Sequence, residues 1–471
     1  MPSAAAEDGL PLEQRRLAVA VIAIGTVMAV LDGSITNVAL PTISRELHAD
    51  AASSIWVVNA YQVIVTMSIL PFSSLGDAIG YRRVYAAGIA LFTLGSLLCA
   101  LSTSLLLLVL ARVVQAVGGA AIMSIAPALN RTIFPAKMLG VAVGISALTV
   151  ASSSAAGPTL GGAILAIARW PWLFAINVPI GIVNVIFALR ALPVTRGSGR
   201  RVDVVSALLS GPALALFIMA LDGIARRLPA AVIAGMLVAS AGLGYAFVRR
   251  QSILEVPMLP LDLFRIRRFS LATGTSLLSF LAQGLAFVAL PFLFQGAFGY
   301  SAFASGLLFT PWPLSIAVIA PIAGRLADRF PPPLLSTFGL GVFAAGLAAL
   351  AALPAHPSAA DIVWRAVVCG IGFGFFQAPN NREILGSAPR ERSGGASGVL
   401  ATVRLSGQSI GAAIVALVLG TSVAAGMGGA APALAGPAHE ALWLASGAAA
   451  LALCVSALRL RAGHARVSEG V

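Results

Sequence analysis

From near its start to near its end the chain is built of apolar runs of roughly twenty residues, separated by short segments that carry Arg, Pro and Gly. A bilayer hydrocarbon core about 30 Å thick is crossed by about 20 residues of α-helix, whose backbone polar groups are satisfied within the segment. One such run can hide inside a soluble core; a long series of them has no such refuge. With 59% of 471 residues hydrophobic and 10% charged, and a mean hydropathy of +0.95, the chain lies outside the range of ordinary globular domains.

The runs fall near residues 17–40, 53–75, 84–102, 105–128, 139–167 and 171–190, then 204–221 and 230–248, then 270–295, 303–324, 333–353, 362–386, 395–418 and 440–458. This pattern predicts an all-α polytopic membrane protein with 14 transmembrane helices. Residues 1–192 form an N-terminal six-helix bundle, 193–265 a linker with two inserted helices, 266–460 a C-terminal six-helix bundle and 461–471 a cytoplasmic tail. The halves echo each other. Ser73-Ser74-Leu75-Gly76-Asp77 follows the second run and Gly324-Arg325-Leu326-Ala327-Asp328-Arg329 the tenth, each placing an Asp beside arginines at a helix end. Parallel six-helix repeats are a common transporter design, with the binding site between the halves near the midplane.

A net charge of +13 suggests nucleic acid in a soluble protein, but here the basic residues fall in loops on one side. With the N-terminus inside, 23 of the thirty Lys and Arg lie on the cytoplasmic face, four outside (Arg45, Arg169, Arg226, Arg227) and three within runs (Arg112, Arg365, Arg404). Both termini are therefore expected to be cytoplasmic, and the basic loops to meet anionic headgroups and not nucleic acid. Trp56, Trp170, Trp172, Trp364 and Trp443 fall near outer helix ends, as an aromatic belt requires, and Trp312 does not. Cys99, Cys369 and Cys454 each sit alone in an apolar run and read as small core residues, and the four His are dispersed. No enzyme site, metal site or cofactor is expected.

Several motifs carry a family resemblance. Leu31-Asp32-Gly33-Ser34-Ile35-Thr36-Asn37-Val38-Ala39-Leu40-Pro41 places an acid in the first run, and Gly76-Asp77-Ala78-Ile79-Gly80-Tyr81-Arg82-Arg83 joins runs two and three. Arg112-Val113-Val114-Gln115-Ala116-Val117-Gly118-Gly119 lies in the fourth run. Gly144 and Gly157-Pro158-Thr159-Leu160-Gly161-Gly162 lie in the fifth, and Trp170-Pro171-Trp172-Leu173-Phe174-Ala175-Ile176-Asn177 leads into the sixth. Over nearly its whole length the chain resembles the major facilitator superfamily, specifically the fourteen-span drug:proton antiporters of the QacA, SmvA and EmrB type. Ala78 and Tyr81 stand where that family usually has basic residues, Ala116 and Ser153 where it has Gly, and Pro171 where Arg is frequent.

The resemblance implies a major facilitator fold in a bacterial cytoplasmic (inner) membrane. It implies a proton-coupled exporter of lipophilic, often cationic compounds, acting as a monomer and powered by the proton gradient; another carrier of one endogenous metabolite on the same scaffold is the alternative. It assigns proton coupling to Asp32 and Arg112, gating to Gly76, Asp77, Gly80, Arg82, Arg83, Asp328 and Arg329, and the antiporter motif to Gly144, Gly157, Pro158, Gly161 and Gly162. Asn37, Gln115, Trp312 and Arg404 are candidates to line a substrate cavity.

The residues themselves leave choices open. Asp32 and Arg112 fall at comparable depths and can meet inside the bundle, either as a proton-responsive pair or as a static one that positions two helices. Arg404 either lines the cavity or satisfies backbone carbonyls, and Trp312 faces either cavity or lipid. The span-five glycines serve either bending at Pro158 or plain packing. Arg365 and Glu383, near opposite ends of one run, read as snorkelling charges, and Asp222 as a boundary residue.

Overall fold

The computed structural model describes residues 9–135, 138–195, 197, 203–254, 259–389, 393–422 and 435–464. Lys137, Arg196, Arg200, Arg201, Arg390, Arg392 and Arg466, residues 423–434 and residues 465–471 of the tail lie outside the described residues.

The first half comprises α1 (Leu12–Glu46), α2 (Ala51–Ser54), α3 (Trp56–Ile79), α4 (Tyr81–Ala100), α5 (Leu105–Ile133), α6 (Leu139–Ile167), α7 (Trp172–Ala175) and α8 (Asn177–Ala191). Then come α9 (Val204–Ala225) and α10 (Ala230–Gln251). The second half comprises α11 (Arg267–Phe292), α12 (Ala302–Phe309), α13 (Pro311–Leu326), α14 (Pro332–Ala351), α15 (Ala359–Ser387), α16 (Ser393–Ser422) and α17 (Ala435–His464). Among the described residues 13 helical segments are long and apolar enough to cross a membrane. The apolar part of α9, Leu208–Ile224, is shorter.

Local chemistry sets many of the boundaries. Asp50, Ser104, Ser301 and Ser358 accept a hydrogen bond from the backbone N–H three residues on and so start α2, α5, α12 and α15. Gly80 divides α3 from α4 at a φ of 101°, where a Cβ would also strike the Thr195 carbonyl, so no other residue fits. Pro311 opens α13 and interrupts the tenth predicted span after Phe309.

Packing displays the repeat more clearly than the loops do. In the first half Gly88 of α4 meets Gly118 of α5, and a Cβ on Gly118 would strike the backbone of Phe92. In the second half Gly339 of α14 meets Gly372 of α15, and a Cβ on Gly372 would strike the backbone of Phe343. Small residues at these crossings bring two backbones into contact, as membrane helices need where no hydrophobic force drives them together. The inserted pair stands at the margin: α10 packs on α9, and Ile218 of α9 covers a seam with Val63 of α3 and Ala413 of α16.

Call the end where α1 starts the base and the end where it finishes the crown. One large core mixes both halves on the crown side, joining Ala39, Leu40, Ile43 and Trp170 to Leu290, Leu293, Leu308 and Phe309. On the base side the cores are separate, one around Ile22, Tyr85, Ile125 and Ile133 and the other around Leu263, Phe269 and Ile384, with Ala401 and Leu405 of α16 leaning on the first. Among the described residues the hydrogen bonds between the halves run from Gln295 to the Val38 carbonyl (2.8 Å) and from Thr42 to Gln295 (3.5 Å), between Thr159 and Thr310 (2.5 Å), and from Ser409 to Gln62 (3.3 Å). Among the described residues the two halves are thus sealed at the crown and, but for Ala401 and Leu405, parted at the base.

Three sequence expectations change. Trp170 is buried against Phe174 and not set in a belt, whereas Trp172, Trp364 and Trp443 are on the surface. Cys454 is exposed, unlike the buried Cys99 and Cys369. Arg459 belongs to no cytoplasmic loop: it is 3% exposed, within α17.

Candidate transport core

Asp32 on α1 and Arg112 on α5 meet in an ion pair, each side chain 1% exposed. The pair is surrounded by residues of four more elements. Gln115, one turn beyond Arg112, donates to Asp32 Oδ1 (2.8 Å) and accepts from Arg112 (2.7 Å), and Ser96 of α4 stands 2.9 Å from its Nε2. Asn177, the first residue of α8, approaches the same carboxylate oxygen at 3.4 Å. Arg112 Nε donates to the Val57 carbonyl of α3 (3.0 Å), and its guanidinium lies over the Tyr61 ring at 4.2 Å and 5.5 Å from that of Phe174 on α7. A dry pair survives only if its remaining hydrogen-bonding groups are served as these are.

The same helix carries the crown seal. Ser34 and Ile35, within one turn of Asp32, are the neighbours that a Cβ on Gly157 or Gly161 of α6 would meet. A Cβ on Gly162 would strike Ala302 and Phe303 of α12, and one on Gly306 would strike the Pro158 carbonyl. The glycines of the fifth run therefore act in close packing, α1 against α6 against α12. Gly144 is different, with open space around it.

The loop motif is arranged otherwise than its charges suggest. Asp77 accepts from the Tyr81 hydroxyl (2.5 Å), Arg82 donates to the Leu189 carbonyl and Arg83 is exposed. Gly76 packs under Ile125 and Tyr81. Asp328 pairs with Arg382 of α15, while Arg329 is exposed. Both loop aspartates thus bond within their own half.

Of the proposed cavity residues, Gln115 belongs to the ion-pair network, and Asn37 is 8% exposed with its carbonyl oxygen unpartnered. Trp312 faces neither cavity nor lipid: 1% exposed, it stands edge-on to Phe287 (5.2 Å) and Phe343 (5.7 Å), because the break at Pro311 turns it into the second half. Arg404 stacks on Phe280 at 5.6 Å. Arg365 pairs with Asp361 (2.6 Å) and Asp222 with Arg226 (2.8 Å).

Glu383 does not snorkel. It takes Arg459 at 2.8 Å in a second buried pair, in which Arg459 also donates to Asn380 (2.7 Å) and Ser456 (2.5 Å), and Asn380 donates to Ser276 (2.8 Å). Sequence reading missed this cluster because it assigned Arg459 to the loop. The sequence signal was the Asn380-Asn381-Arg382-Glu383 run, four polar residues inside an apolar segment. Tyr61, Ser96 and Asn177 were missed as partners of Arg112, Gln115 and Asp32 respectively because each lies far in sequence from the residue it meets.

Two bundles packed about a parted seam, each with a buried ion pair inside it, define a polytopic α-helical membrane transporter. The chain belongs to the major facilitator superfamily, whose sequence pattern it matches over residues 22–412. It is 52% identical over 461 residues to the uncharacterized transporter YebQ of Escherichia coli strain K12, covering 98% of each chain. It is 32% identical to the riboflavin transporter RibZ of Clostridioides difficile strain 630 (83% of this chain, 86% of that one). It is also 32% identical to the multidrug resistance protein Stp of Mycobacterium tuberculosis strain CDC 1551 / Oshkosh (84% and 74%). Its fold is similar to the crystal structure of a bacterial homologue of the human lysosomal transporter Spinster in an inward-facing, unoccupied conformation (TM-score 0.68, 16% identity, 96% and 98% covered).

Proposed function

We propose that the chain is a proton-coupled exporter of lipophilic small molecules, crossing a bacterial cytoplasmic membrane 14 times with both termini inside and working as a single chain by alternating access. The observation that carries this reading is the place of Asp32. Its carboxylate is buried on the helix that also carries the crown seal, and its charge is balanced by Arg112. In the crown-sealed state the carboxylate is held by Arg112, Gln115 and Asn177. Cargo taken up from the base carries the chain to the crown-open state, in which the turn bearing Ser34, Ile35 and Val38 has parted from α6 and Gln295. There a proton from the crown neutralises Asp32 and weakens its pair with the guanidinium, and the cargo leaves. The protonated chain re-seals the crown, and loss of the proton to the base restores the pair.

Asp77 and Asp328 act as latches when the base closes; both are exposed there and bond within their own half while it is parted. The one-sided distribution of Lys and Arg supports the orientation, and similarity to a multidrug resistance protein supports export. The alternative, a carrier of one endogenous metabolite, draws on the similarity to a riboflavin transporter.

The test is reconstitution in liposomes with an imposed pH gradient and an internal pH dye. A broad panel of lipophilic compounds is expected to evoke proton flux that Asp32→Asn abolishes. Flux retained in the variant moves the proton site elsewhere, and a response confined to one compound favours the metabolite carrier.

A further inference from the structure

Four arginines lie inside the described helices of the two bundles away from their ends or buried: Arg112, Arg365, Arg404 and Arg459. Three of them are paired with a carboxylate, Asp32, Asp361 and Glu383 respectively. Arg404 is not. Among the described residues no acceptor stands within hydrogen-bonding reach of it, and its Nε is shielded from solvent without a partner. It lies 11 residues from the start of α16 at Ser393, roughly 16 Å along the helix, beyond the reach of simple snorkelling. An unpaired guanidinium at such depth is costly and is kept only where it faces a water-filled space or a partner that comes and goes.

Its direction follows from its neighbours on α16. Gly407 and Gly411 press on Leu277, Leu281 and Leu285 of α11. Ala401 and Leu405 lean on the first-half core, and Ser409 bonds to Gln62 of α3. At about 100° per residue, Arg404 and Gln408 occupy the sector between these two faces, the seam between the halves. That sector lies on the base side of the Ser409–Gln62 contact, where the halves are parted. Gln408, one turn above, is bonded to Gln283 (3.0 Å). Behind the guanidinium stands Phe280, edge-on to Phe373 (5.4 Å), which is edge-on in turn to Phe343 (5.2 Å). The ring contact stabilises the cation but leaves its N–H groups unserved.

Asp32, by contrast, is spent on Arg112, Gln115 and Asn177 within the first half and offers nothing to a cationic cargo. We propose that Arg404 is the charge-recognition residue for the cargo, and that the cargo is an amphipathic organic acid whose carboxylate or comparable anionic oxygen group binds the guanidinium, the cation being backed by the buried Phe280, Phe373 and Phe343. This rests on the transporter reading but replaces the cationic cargo expected from sequence. A planar fork of N–H donors matches a carboxylate, and the low-dielectric wall strengthens the bond.

The test is binding by purified full-length protein in nanodiscs of zwitterionic phosphatidylcholine, which supply no anionic headgroup. Dansyl-phenylalanine and its methyl ester, alike in shape but differing in charge, are titrated by fluorescence. Wild type is expected to bind the acid about tenfold more tightly than the ester, as one charge-assisted hydrogen bond supplies. Arg404→Gln is expected to level the two, leaving ester affinity unchanged, and Arg404→Lys to keep a preference for the acid. Equal or tighter binding of the ester by wild type, no saturable binding of the acid, or a preference that survives Arg404→Gln overturns the proposal. The wild-type ratio decides the matter even where a variant does not fold. Because the readout is equilibrium binding, it stands apart from the proton-flux result on Asp32.

Discussion

The two bundles each bury one ion pair, and the pairs differ in depth, in company and in what holds them. Asp32–Arg112 lies well inside the first half, with the helix running 14 residues beyond the acid to Glu46, roughly 21 Å. It is enclosed by two aromatic rings and serves its acid with donors from two helices, α5 and α8. Glu383–Arg459 lies four residues from the end of α15 at Ser387, roughly 6 Å from the base. Its bonds run to Asn380 and Ser456, which are tied to α11 and α14. A charge near a helix end can be rehydrated by a small movement, whereas one at mid-depth has to be neutralised or re-paired. The first arrangement suits a switch and the second a clasp.

The comparison can be broken at its strongest point by Arg112→Ala. Leaving Asp32 buried without its cation is expected to cost about 3–5 kcal/mol, read as a large fall in the unfolding temperature of the purified protein. Arg459→Ala is expected to cost less, about 2–3 kcal/mol, because the base admits water to Glu383. If the two losses prove equal, depth does not distinguish the pairs. Function sharpens the contrast. Glu383→Gln is expected to keep proton flux at near wild-type rates where Asp32→Asn loses it, measured in the same liposomes.

The crown seal gives a smaller effect on stability and a specific one on conformation. Gly306→Val forces a side chain against the Pro158 carbonyl and is expected to cost about 1–3 kcal/mol by overpacking. It is also expected to raise the labelling of a cysteine placed at Thr42 by a membrane-impermeant reagent added from the crown side. Unchanged labelling separates the glycine contact from gating.

The smallest effect is expected outside the bundles. Asp203 caps α9 through the Ser206 N–H (3.2 Å) and pairs with Arg250 (2.9 Å). Partial burial pushes its carboxyl up, but hydrogen bonds from Arg250 and Ser206 together hold it below the usual carboxylate value. Its contribution is therefore present above the unfolded-state value and fades as pH falls through the lower folded one. Asp203→Ala is expected to cost about 1 kcal/mol at neutral pH and nothing in strong acid, read as thermal stability against pH.

Much of the fold was legible because a bilayer leaves so few choices. Apolar runs of spanning length become helices wherever they pack, and Pro and Gly mark where they break. The boundary at Gly80, between the runs at 53–75 and 84–102, was readable in this way. The acid in the first run and the arginine in the fourth were legible as a candidate pair, since depth along two helices follows from counting residues. What counting does not supply is azimuth. Arg459 and Glu383 were assigned to loop and helix end, and Trp312 to cavity or lipid, because which side of a helix faces a neighbour depends on how the helices cross.

The sequence by itself determined that this chain is a bundle of membrane-spanning helices in two related halves, with one acid and a few arginines deep inside. Periodicity and length alone carry that information, since every residue in a span obeys the same solvent. Only the tertiary structure decided which of those charges are matched. Pairing is a contact between residues 80 apart in the chain for Asp32 and Arg112 and 76 apart for Glu383 and Arg459. Partner choice at such separation is fixed by helix rotation and crossing, and so is the place of Arg404, which among the described residues stacks on Phe280 and has no carboxylate partner.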